Sequence, residues 1–166
     1  NCKKEAPPAA DSISARVSSI GGRPSIVVQW RIHCFSTQLA AARGKSLVSP
    51  FFDVGCLSGL RLMVAAKVQG ALAPSRHRAR QAHRKLLTQG PLDGCLMLKV
   101  PKAPDMTMTY NLLIGDHRRA SFTDNFSDHC VATHSHLGID FLQARGVDGS
   151  LLVGIEILES NSCSER

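Results

Sequence analysis

Aromatic residues are scarce in this chain of 166 residues, which has one Trp, one Tyr and six Phe. Its core must therefore be built mostly from Leu, Val, Ile and Ala. Closely spaced cysteines are missing too. The six lie at positions 2, 34, 56, 95, 130 and 163, with no Cys-x-x-Cys among them. That spacing excludes zinc fingers and ribbons. Cys95 and Cys130 sit in or beside apolar stretches and read as buried thiols, not as parts of a disulfide scaffold. No apolar run approaches the ~18 residues that a membrane-spanning helix needs. The polar N-terminus has no initiator Met and no signal-peptide pattern, so a fragment of a longer product is expected.

Signatures of catalysis are absent as well. Gly44-Lys45-Ser46 ends like a phosphate-binding loop, but Leu39 stands where that loop requires glycine. There is no Gly-x-Ser-x-Gly elbow and no dinucleotide-binding glycine pattern. Neither an enzymatic activity nor a cofactor is expected.

What the chain does have is alternation of apolar and polar residues with a period of two, the mark of half-buried strands. Val28, Trp30 and Ile32 alternate with Gln29 and Arg31. Leu60, Leu62, Val64 and Ala66 form a second inward row, and Met108, Tyr110, Leu112 and Ile114 a third. Leu151, Val153, Ile155 and Ile157 form the last, with Glu156 facing out. Shorter strands are expected at 45–54 (irregular at Pro50), 95–100, 120–126 and 137–142. Residues 1–22 read as a flexible lead-in, 23–160 as one domain and 161–166 as a tail. Within the domain, 70–91 forms an insertion in which Ser75 caps a short helix that Gly90-Pro91 ends. Parallel strands would need crossover segments that the chain does not contain. The expectation is an all-β, antiparallel sandwich of seven to eight strands with one helical, basic insertion.

The net charge of +7 is local. Residues 76–85 include Arg76, Arg78, Arg80, Arg84 and Lys85 and no acid, which leaves +2 for the rest of the chain. Such a run is a solvated helix, a contact for an anionic membrane or, as an alternative function, a nucleic-acid-binding or nuclear-import segment. It lacks interleaved aromatics to stack on bases. Asp116, Asp124 and Asp128 lie near His117 and His129, and read as turn residues whose side chains bond to nearby backbone. A further alternative is a metal-binding or metal-dependent protein. His134 and His136, two apart on a strand, would face one side, with Cys130 or His117 as a third ligand.

Four segments together resemble the MATH (meprin and TRAF homology) family. They are Val28-Gln29-Trp30-Arg31-Ile32, Gly44-Lys45-Ser46-Leu47-Val48-Ser49-Pro50-Phe51-Phe52, the 60–66 strand, and Leu137 to Leu142 followed by Ser150 to Leu158. The resemblance covers residues 25–158. It implies an eight-stranded antiparallel sandwich that binds peptide segments or partner domains within a larger adaptor; a cytoplasmic location is expected, with the nucleus as an alternative. The binding edge it implies runs through 120–136, with Ser121, Phe122, Asp124, Phe126, His134 and His136 as peptide contacts. The chain departs from the family in having few aromatics there, no tryptophan at the start of the third strand, and a longer basic insertion.

Overall fold

The computed structural model describes residues 11–66, 76–101 and 106–161. Among them are ten strands and two helices. One sheet has the order β1 (Ser12–Ile20), β2 (Arg23–Ile32), β10 (Leu151–Asn161), β7 (Thr107–Ile114) and β8 (His117–Asn125). The other runs β3 (Leu47–Val48), β5 (Leu57–Ala66), β6 (Gly94–Lys99) and β9 (Val131–His134), with β4 (Phe52–Val54) also paired to β5. Every pairing between strands is antiparallel. The architecture is all-β, as the alternation predicts.

The inward rows of both sheets meet in one core. Val28, Trp30 and Ile32 of β2, Leu60, Leu62 and Val64 of β5, the alternate residues of β7 from Met108 to Ile114, and Leu151, Val153, Ile155 and Ile157 of β10 are all buried in it. Trp30 is fully buried, and its indole N–H meets no acceptor among the described residues. No helix among those residues is long and apolar enough to cross a membrane.

Ten strands stand where seven to eight were expected: two differences raise the count and a third exchanges one strand for another. First, the supposed lead-in is ordered from Ser12. All nine residues of β1 pair with β2, although Val17 is 80% exposed. Main-chain pairing holds this strand, so its side chains carry little apolar signal. Second, Pro50 splits the 45–54 stretch into β3 and β4. Between them Ser49 turns back on β5: its Oγ accepts the Leu62 N–H at 2.9 Å, and its own N–H donates to the Leu62 carbonyl at 2.9 Å. Third, β9 was not foreseen, and Leu137 to Leu142 is no strand.

That last segment is a packed loop. Leu137, Ile139, Phe141 and Leu142 are buried, which explains why they read as strand. Their backbone is instead fastened by Asp140, whose Oδ1 accepts the N–H groups of Leu92 and Leu142, each at 3.0 Å. Gly94 leaves room for the Phe141 ring, which a Cβ at that position would strike.

Helix α1 (Phe35–Ala41) was also missed. It buries Phe35 and Leu39, four residues apart on one helical face. Helix α2 (Arg76–Gln89) forms where the insertion helix was expected. Residues 70–75 of the insertion, including the expected cap Ser75, and 162–166 of the tail lie outside the described residues. The cysteine expectation holds in part: Cys95 is buried, but Cys34, Cys56 and Cys130 are exposed.

Candidate functional site

Strand β8 is the outer strand of one sheet and β9 the outer strand of the other. Side chains from β7, β8 and β9 converge between them. The Tyr110 hydroxyl donates to Asp124 Oδ2 at 2.7 Å, and His134 Nε2 lies 2.7 Å from the same hydroxyl. His134 Nε2 is also 3.1 Å from the same carboxylate oxygen. With the phenolic proton directed at Asp124, Nε2 carries a hydrogen and donates to both oxygens. The Phe122 ring covers the imidazole at 4.2 Å between centroids, and the Tyr110 ring meets it edge-on at 5.7 Å.

Local register explains the convergence. Tyr110 pairs with Phe122 and Met108 with Asp124, so Phe122 and Asp124, two apart, lie on one face of β8. His134 ends β9 opposite Leu96. Tyr110 is wholly buried, while the side chains of His134 and Asp124 keep 10% and 29% of their exposure. The cluster is a polar clasp between the sheets whose outer side reaches solvent.

Burial, and after it the hydrogen bond and charge of Asp124, push the Tyr110 hydroxyl far above its usual pKa of 10. The folded chain therefore keeps a proton that the unfolded chain gives up. Stability contributed by this group is full below pH 10 and declines as pH rises beyond it. Since this is the chain's one tyrosine, absorbance at phenolate wavelengths reads it alone. The native protein is expected to show no phenolate signal where the urea-unfolded chain titrates normally. Relative to Tyr110→Phe, its unfolding free energy should fall by about 1.4 kcal/mol per pH unit above the ordinary value. A native titration near pH 10 would contradict the buried clasp.

The predicted peptide contacts separate. Ser121 is exposed and Phe122 half-buried beside His134. Asp124 and His134 join the clasp. Phe126 is a core residue, only 1% exposed, and its N–H donates to the Met106 carbonyl at 2.7 Å. His136 leaves the strand with a left-handed φ of 57° and is exposed, its Nδ1 3.6 Å from Asp93. It thus does not share a strand face with His134, which removes the geometric premise for a paired-histidine metal site. Cys130 is exposed before β9. The described residues contain no group of three or more His, Cys, Asp or Glu able to hold a metal ion.

Of the acids taken for turn residues, Asp116 lies in the β7–β8 turn and Asp128 in the turn after β8, whereas Asp124 is on the strand. In the basic segment, Arg80, Arg84 and Lys85 are exposed on α2, and the side chains of Arg76 and Arg78 lie outside the described set. Sequence reasoning missed Tyr110 as a polar participant, and its inward position on β7 was the available signal. No family model matches the chain, and no match to it is found among curated proteins or solved structures.

Proposed function

We propose that this chain is a protein-interaction module of MATH type, and that it captures an extended peptide along the rim formed by β8 and β9. The observation that carries the reading is an outer strand of nine residues, β8, flanked by the half-buried Phe122–His134 pair. An outer strand offers a ladder of main-chain donors and acceptors, while adjoining side chains select the residues that pair with it. Two antiparallel sheets whose inward faces share one core are compatible with the sandwich implied by the resemblance. The module would act within a larger cytoplasmic adaptor.

Peptides selected from a displayed random library against the full chain test the reading. Phe122→Ala is expected to weaken the selected peptides about tenfold, equivalent to ~1.4 kcal/mol. Its denaturation midpoint is measured alongside to show that the fold persists. Thr123→Pro, which removes an N–H from β8, should weaken them further. No enrichment of peptides, or binding indifferent to both changes, would sink the proposal.

A further inference from the structure

The whole net charge of the chain resides in one stretch. Residues 54–92 contain seven Lys/Arg and no Asp or Glu, while the remaining positions hold thirteen of each sign. Five of the seven fall on α2, which has no acid in its first turn and no basic residue in its last. Both features oppose helix stability. The helix N-terminus is its positive end and favours acids. Arg80 and Arg84 repeat like charge at a spacing of four, where side chains are neighbours. A bound polyanion would relieve this arrangement.

We infer that α2 docks on the phosphate backbone of a nucleic-acid duplex, without sequence preference, through Arg80, Arg84 and Lys85 and the basic residues before them. These three are exposed and form no ion pair with an acid among the described residues. The segment 76–85 has four Arg and one Lys, and the planar guanidinium fork suits phosphate oxygens. Leu87 is buried in the core, so this large apolar side chain of α2 is committed to the domain and not offered to a lipid surface. No aromatic occurs between residues 53 and 109, so the stacking that single strands require is not provided here. Outside α2 the chain carries a net charge of only +2, which concentrates the attraction on this helix.

Fluorescence anisotropy of labelled duplexes of about 20 base pairs, one DNA and one RNA, with the full chain tests the inference. Five contacts predict a slope of log affinity against log salt of about −4.5, roughly a 500-fold loss between 50 and 200 mM NaCl. The triple change Arg80→Ala, Arg84→Ala, Lys85→Ala should flatten the slope to about −1.8, roughly a 12-fold loss over the same range. It should leave the denaturation midpoint unchanged. Equal binding of both duplexes supports backbone recognition, and preference for one assigns the source. The inference is overturned if affinity does not depend on salt, or if Arg16→Ala, Arg23→Ala, Lys99→Ala weakens binding as much. Tighter binding to phosphatidylserine vesicles or polyglutamate overturns it too.

Discussion

Gly154→Ala is expected to lower the unfolding free energy by about 3 kcal/mol, the upper end of what overpacking usually costs. Gly154 pairs with Gln29 across β10 and β2. A Cβ built there strikes the Val28 carbonyl oxygen and comes within 3.2 Å of the Gln29 Cα and Cγ. The obstruction is backbone, so no rotamer change relieves it, and the two strands must part. Urea denaturation followed by Trp30 fluorescence reads the effect in the right place. Trp30 is the one tryptophan, and it pairs with Val153 beside the altered residue. A midpoint matching that of the parent would show that β2 and β10 are not pressed together as described.

Two residues further along β10, Glu156→Ala should cost about 2–3 kcal/mol and Glu156→Gln about 1 kcal/mol, because Gln keeps an acceptor of similar size. Glu156 is 1% exposed on the face of the sheet away from the core. Its carboxylate gathers three other strands. Ser25 Oγ on β2 donates at 3.4 Å, Asn111 Nδ2 on β7 at 3.1 Å, and Arg118 on β8 pairs at 3.0 Å. Truncation leaves the Asn111 amide N–H buried without its acceptor. Arg118 is half-exposed and recovers water, which keeps the loss below that of a fully buried ion pair. The same denaturation experiment checks it, and the order Ala below Gln below parent is the diagnostic result.

Glu156 also shows where sequence reading stops. Alternation placed it correctly on the face opposite Ile155 and Ile157, and then equated that face with solvent. Burial of an outward residue depends on strands that pair from elsewhere in the chain, here β2, β7 and β8, which a local pattern does not contain. The inward rows of β2, β5, β7 and β10 were legible because each concerns one strand and one core. Strand β1 was not, since main-chain pairing with β2 holds it. The 137–142 loop misled for the converse reason: its apolar side chains are buried, but Asp140 fixes their backbone in a turn. At the candidate site, Asp124 and His134 were visible as single residues. Their meeting with Tyr110 joins positions 24 apart from two different sheets, and nothing in the spacing announces it.

Among the described strands β10 is the last in sequence, yet it lies between β2 and β7 in the middle of its sheet. Until residues 151–157 leave the ribosome, β2 and β7 have no common neighbour, and the inward faces of Trp30 and Tyr110 stay open. The domain is therefore a unit that completes only after translation of its far end, and during synthesis two strand edges with apolar faces stand unpaired. A premature stop just before β10 would release those edges permanently. Such a product is expected to be an aggregate or a chaperone client and not a smaller folded domain, whatever binding residues it retains.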